Sequence, residues 1–475
     1  MKKSIALLLA SCLLLVLAAC SPTEPSSSEP GPSSSSTSSD TAAQEPESDA
    51  VEEPSSAPQE SVPSFDTTAT IQETILYEEN GVKITATGLE CSLSQVTLDL
   101  TIENNSSQDL SFSSATLGYN CNAVNGIMVD DGYVNCEVAA GKIANETVSF
   151  STQQLLLYGI DRVAQIQMGF TITDADYNSI YTDPTVVQTS IGESYEQPAD
   201  SFQKAVQNSA IQSGLGFTLS SFQTESIFDQ NGVQVVSSGL LQNSSGEQML
   251  FLEAVNTGEQ PVYFSTSDIA FNGLVVHSYN WSSDLILPGA RRVVTIDPGN
   301  VFEEEFWSAY GMENLGSVAM NVILRDQDGN DLTTAALLQV QLAQDVPAVN
   351  TEGVEVYNAN GIHIVSKELA VDGLDRTCAL LLVQNTSGQS VDVGVAYDSL
   401  SVGGVMTDFS CSDQTIPDSG LGALVVCLSD WEDSGSTSVE NIADMEMQLE
   451  IRAENSYDTI DSPKVTLNFS AGSAV

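Results

Sequence analysis

From Val96 to Ile102 the chain alternates strictly between apolar and polar residues, with Val96, Leu98, Leu100 and Ile102 on one side and Thr97, Asp99 and Thr101 on the other. A period of two places one face on a core and the other in water, which predicts a half-buried strand. That strand ends on Asn104. The same parity recurs as Leu250, Leu252 and Ala254 before Asn256, and as Ala379, Leu381 and Val383 before Asn385. In those two copies Phe251, Leu380 and Leu382 add apolar side chains on the outer face, so those faces are expected to be partly covered. Upstream stand Asn80-Gly81-Val82, Asn231-Gly232-Val233 and Asn360-Gly361-Ile362, each with an aromatic three residues earlier (Tyr77, Phe228, Tyr357). Asn-Gly tolerates positive φ at both positions and predicts a tight hairpin. The Gly-to-Asn spacings of 23, 24 and 24 residues define a threefold internal repeat.

A third marker closes each copy. Ile166, Met168, Phe170 and Ile172 alternate with polar residues and glycine, Val318, Met320, Val322 and Leu324 recur at the same place in the second copy, and Met445, Met447, Leu449 and Ile451 alternate with polar residues in the third. Just before it, Ser151 to Tyr158 and Glu303 to Tyr310 are each expected to make one or two helical turns, stopped by Gly159 and Gly311. Copies of this length, with frequent turns and short strands, predict an all-β chain of three tandem immunoglobulin-like β-sandwich domains, each large enough to bury a core. The expected limits are 71–192, 215–345 and 350–470, with a helical connector over 193–214 around Phe202, Ala205, Val206 and Ala210.

Ahead of the repeats the pattern changes. Lys2 and Lys3 precede an apolar run that ends in Leu17-Ala18-Ala19-Cys20. The run has the layout of an export signal and is too short to span a bilayer. Its last four residues resemble the lipobox of bacterial lipoproteins. The resemblance implies removal of residues 1–19 and a diacylglyceryl group on Cys20, whose two acyl chains suffice for stable anchoring. Residues 20–70 are rich in Ser, Pro and Glu, and such composition predicts a disordered, extended tether. The repeats themselves resemble the tandem immunoglobulin-like modules of Gram-positive surface lipoproteins, a similarity of pattern that carries no common catalytic residues. It implies a lipid-anchored location on the extracytoplasmic face of the cell membrane.

Charge narrows the partners. Against 64 acidic residues stand 13 basic ones, a net of -51 spread along the chain. Nucleic acid and other polyanions are disfavoured, since phosphate binding needs clustered Lys and Arg. A surface protein with a basic patch or a neutral glycan is expected instead. No cofactor is expected. The only histidines, His277 and His363, fall in different repeats, which excludes a histidine triad or a two-histidine metal site within one domain. Three cysteines lie in the first repeat (Cys91, Cys121, Cys136) and three in the third (Cys378, Cys411, Cys427), room for at most one bridge and one spare thiol in each. One bridge and wholly reduced, buried cysteines are both compatible with that count.

Two acidic runs are candidate cation loops: Asp174 and Asp176 with Asn178, and Asp326, Asp328 and Asn330. Alternate side-chain oxygens can converge on calcium, yet Leu337 stands where an EF-hand requires glutamate. Turn chemistry explains the same residues, because Asp, Asn and Gly are favoured after a strand for backbone reasons. Glu303, Glu304 and Glu305 suit the first turn of a helix, and Trp281, Trp307 and Trp431 read as core. No catalytic constellation is expected. The functional expectation is a non-enzymatic interaction or spacer array, with a ligand-sensing or substrate-capturing lipoprotein of a transport or signalling system as the alternative and an extracellular enzyme behind both.

Overall fold

A computed structural model describes residues 63–115, 120–345, 348–429, 442–454, 456 and 458–469. The signal segment, Cys20, most of the tether and Trp431 lie outside the described residues. The chain is all-β, built from three tandem β-sandwich modules whose strands pair antiparallel within each module and parallel at two places between modules.

The repeat markers each take a definite structural role. Asn80, Asn231 and Asn360 have φ of 55°, 47° and 54°, and the glycines after them 79°, 78° and 77°. These are two-residue turns with positive φ at both positions, which only Asn-Gly-like pairs adopt cheaply. They close the hairpins Thr74–Glu79 with Val82–Cys91, Phe228–Gln230 with Val233–Asn243, and Val354–Ala359 with Ile362–Val371. The second marker is a buried staple. Asn104, Asn256 and Asn385 are each wholly buried. Their Nδ2 groups donate to Val138, Ile286 and Ile416 carbonyls at 2.8, 3.0 and 2.9 Å, and to Gln108, Gln260 and Gln389 carbonyls at 2.8, 2.8 and 2.7 Å. Each Oδ1 accepts from the backbone two residues on. A buried amide with all its capacity used ties the central strand to the loop it feeds and to a second strand, at a site where an apolar replacement would orphan several backbone groups.

The alternating strands bury the expected parity, with Val96, Leu98, Leu100 and Ile102 essentially inaccessible, as are Val318, Met320, Val322 and Leu324 and then Met445, Met447, Leu449 and Ile451. The helical turns form as Thr152–Leu157 and as Glu304–Trp307 continued by Ser308–Tyr310; Gly159 and Gly311 follow at φ 72° and 71°. In the connector, Ser201–Gln207 and Ser209–Leu215 are short helices.

Sheets do not stop at module boundaries. One nine-stranded sheet runs from the first module into the second, through parallel pairing of Ile127–Met128 with Arg291–Ile296. A ten-stranded sheet runs from the second into the third, through Leu274–His277 beside Leu421–Leu428. The outer faces flagged by Phe251, Leu380 and Leu382 are the surfaces covered there. Phe251 packs edge-on to Phe202 of the connector at 5.3 Å, within the core of the first module. Leu380 and Leu382 join the core of the second, with Trp307 and Tyr310. Each copy has its own inter-sheet core, and the first two extend into their successors. No helix among the described residues is long and apolar enough to cross a membrane.

Candidate functional site

The acidic turns are organised by their own backbone. Asp174 Oδ1 accepts from the N–H groups of Asp176 and Asn178, both at 2.9 Å, and from Asn178 Nδ2, which also reaches Oδ2. Asp326 repeats this with Asp328 N at 3.0 Å, Asn330 N at 2.8 Å and Asn330 Nδ2 at 2.9 Å. The Asn side-chain hydrogen bond, followed by the backbone ones, holds both carboxyls below their ordinary value. Asn243 makes the same pair of contacts, to Ser245 N and Glu247 N, and Asp372 makes it to Leu374 N and Arg376 N. A neutral amide performs the task as well as a carboxylate, so the D-x-D spacing is a turn signature, with the lead oxygens already engaged by N–H donors.

The other nominated residues are dispersed. His363 Nε2 lies 3.1 Å from Glu355, on one hairpin. His277 stacks edge-on to Trp281 at 5.4 Å, and its Nε2 is buried without a hydrogen-bond partner among the described residues. Trp307 is core, donating to the Phe302 carbonyl at 3.0 Å. Glu304 and Glu305 occupy the first turn of their helix. Cys378 and Cys427 form a disulfide between paired strands, leaving Cys411 as the spare thiol of the third repeat, whereas Cys91 and Cys136 in the first repeat are free thiols. Burial pushes the thiols of Cys91 and Cys136 up to about 11 and that of Cys411 to about 12. They are poor nucleophiles at neutral pH.

What the fold does bring together is found at the module junctions. Three hairpins follow the second marker, 21, 16 and 18 residues after its Asn, turning at Asn125-Gly126, Asn272-Gly273 and Gly403-Gly404, all at positive φ. The two Asn-Gly pairs and the Gly-Gly pair were a further turn signal, legible in the sequence but masked by the shortness of the flanking strands. Asn125 Oδ1 accepts from Ala164 N at 2.8 Å and Asn272 Oδ1 from Gly316 N at 2.8 Å, which staples each hairpin to the chain leading into the closing strand. At the first junction Arg291 N–H donates to the Gly126 carbonyl at 2.9 Å. Arg292, almost wholly buried, pairs with Asp130 at 2.7 Å and Asp284 at 3.0 Å. Arg291 pairs at 2.9 Å with buried Glu253, which also accepts from Ser237 and from Gln203 of the connector. At the second, Ser278 accepts from Thr415 N at 2.8 Å, and Tyr310 donates to the Leu381 carbonyl at 3.0 Å.

The third hairpin, Ser401–Val402 with Val405–Met406, ends the series. Beside it a surface groove of about 430 Å³ is lined by Val395, Tyr397, Asp398 and residues 407–413. Tyr397 is 96% exposed, and Asp413 on the groove wall is paired with Arg452.

No known protein family and no curated protein matches the chain. Among solved structures it is similar to red sea bream transglutaminase, at 10% identity over 57% of this chain and 31% of that one, with a TM-score of 0.14. The chain thus spans about a third of that enzyme's length. It is also similar to the exo-beta-D-glucosaminidase CsxA in complex with inhibitors, at 6% identity over 84% of this chain and 79% of that one, TM-score 0.17, and to Amycolatopsis orientalis exo-chitosanase CsxA, at 7% identity over the same shares, TM-score 0.16.

Proposed function

We propose that the chain is a lipid-anchored, extracytoplasmic, non-enzymatic protein whose three β-sandwich modules act as an interaction or spacer array. The observation that carries this reading is the fusion of consecutive modules by shared sheets, with a buried hydrogen-bond or ion-pair network at each junction. Rigid coupling of this kind holds the last module in a fixed relation to the first, which is what a spacer requires and a flexible string of domains lacks. The Leu17-Ala18-Ala19-Cys20 run supports the anchor, and the polar segment after it supports a tether. Charge supports cationic or neutral partners over polyanions.

The test is Cys20→Ser in the producing cell, with palmitate labelling and fractionation. Wild type should carry label and sediment with membranes; the variant should lose both. Tight membrane retention of the unlabelled variant would overturn the anchor.

The exposed Tyr397 above an Asp-lined groove favours ligand capture as a second reading, since an aromatic face beside carboxylates suits a neutral sugar. Calorimetric titration with neutral oligosaccharides should then give heat that Tyr397→Ala abolishes, and no heat from wild type would remove this reading.

A further inference from the structure

The geometry points to head-to-tail association of this chain with a second copy, the hairpin Ser401–Met406 of one molecule adding to the free edge of Lys142–Ser151 in the next. The two built-in junctions define the contact. In each, the residue directly after the hairpin turn, Ile127 or Leu274, lies in parallel register with a strand of the following module, against Arg291 or Leu421. Both receiving residues occupy one repeat position, opposite the residue just before the staple asparagine: Val255 faces Arg291, and Gln384 faces Leu421. The first module has the same position, where Glu103 faces Ile143.

The ends of the array therefore hold one unused half of the contact each. Ile127 and Leu274 are 1% and 0% exposed, whereas Val405, directly after the third turn, is 59% exposed, and Met406 is 61% exposed. At the other end Ile143 is 61% exposed, and among the described residues Lys142–Ser151 pairs with no strand except Gln95–Asn104. Gly132 N–H and Asp131 Oδ2 engage that edge at Ser149 and Ser151, which leaves the part around Ile143 as an unpaired strand edge, a template for another strand. Because the donor and acceptor are different surfaces, the contact is heterologous and leaves a free end after each addition.

Two features set its strength. Where Leu285, Leu287 and Ala290 back the first junction, the first module presents Glu137, Ala139 and Lys142, as terminal repeats with a polar outer face do. The end-to-end contact is consequently weaker than the built-in ones and reversible. The net charge of -51 also opposes approach of a second copy until salt screens it, so association grows with ionic strength.

The test uses residues 21–475, which keep every described residue and lack the lipid, so its failure leaves the anchoring proposal standing and the reverse is also true. Sedimentation velocity of wild type at high salt should show a mean mass that rises about twofold or more from dilute to concentrated samples. V405D and I143D should each stay monomeric alone, with unchanged thermal melts because both side chains are exposed; M406K serves as the donor-side variant if V405D melts early. An equimolar mixture of V405D and I143D should form dimers and nothing larger, since each supplies the half the other lacks. A wild type that stays monomeric at every concentration and salt, single variants that associate as wild type does, or a mixture that fails to pair would each overturn the proposal.

Discussion

At the first junction the parallel strands are flanked by charge: Arg292 between Asp130 and Asp284, and Arg291 on Glu253 with Gln203 and Ser237 around it. At the second the same backbone register is flanked by apolar packing, with Val365, Ala370, Leu380, Leu382 and Ala423 drawn into the core of the preceding module. Its polar contacts include Tyr310 to Leu381 and Ser278 to Thr415, and its charged one is the Lys367 ammonium 6.0 Å from the Tyr310 ring centre. The backbone geometry recurs while the side chains do not, which shows that strand addition after a stapled hairpin positions the modules and that different chemistry can cement it. In a chain with 13 basic residues, spending two adjacent arginines on one junction is a large share, and it neutralises the buried Glu253 and the partly buried Asp284.

The sharpest way to break the comparison is to truncate one outer-face anchor at each junction. Phe251→Ala and Leu380→Ala remove wholly buried side chains that face away from their own module's inter-sheet core. Each is expected to cost about 4 kcal/mol, as much as an inward-facing residue would. Urea unfolding followed by tryptophan fluorescence and circular dichroism checks this, and a cost under about 1 kcal/mol would mean that the modules stand alone.

Reduction of Cys378–Cys427 comes next. The bridge closes a separation of 49 residues beside the second junction, and chain entropy assigns such a loop about 3 to 4 kcal/mol. The first and second modules hold no bridge among the described residues, so a reductant should lower only the transition to which the third module contributes.

Arg292→Ala is expected to cost about 3 kcal/mol, because it leaves Asp284 partly buried without its partner; Arg292→Met should recover part of the loss through packing. At the second junction the charged contact is Lys367 over the Tyr310 ring, so raising salt should separate the two junctions less than these variants do.

The smallest effect is a pH dependence of the second module. Burial, the larger influence, holds His277 below its ordinary 6.5, and Asp268 pulls the opposite way. The unfolded imidazole then binds its proton first, so this contribution is complete above 6.5 and is lost as pH falls toward the depressed folded value. Melting temperature should decline over that interval, and His277→Gln should flatten the slope; an unchanged slope would assign it to the carboxylates.

Much of this was legible in the chain. Asn-Gly pairs at a spacing of 23 to 24 residues from a strand-ending Asn can be read without coordinates, because positive φ and a buried amide staple are demands that few residue types meet. Period-two runs such as Val96 to Ile102 identified the buried parity for the same local reason. The turn role of Asp174 and Asp326 was legible only as one of two readings, and the contacts these residues share with Asn243 are those of a turn.

Local residue choice sets the Asn-Gly turns, the buried parity of the alternating strands and the threefold recurrence of both, since φ preference and side-chain alternation are properties of neighbouring residues. Only the tertiary structure decided what covers Phe251 and Leu380, that Cys378 takes Cys427 and leaves Cys411, and that Ile127 and Leu274 enter the next module while Val405 does not. These outcomes depend on which strands become neighbours across long stretches of chain, 49 residues for the disulfide and more than a hundred for Ile127 with Arg291 and Leu274 with Leu421. Pairing across such distances is specified by the fit of whole surfaces, with no local signal in the residues that finally touch.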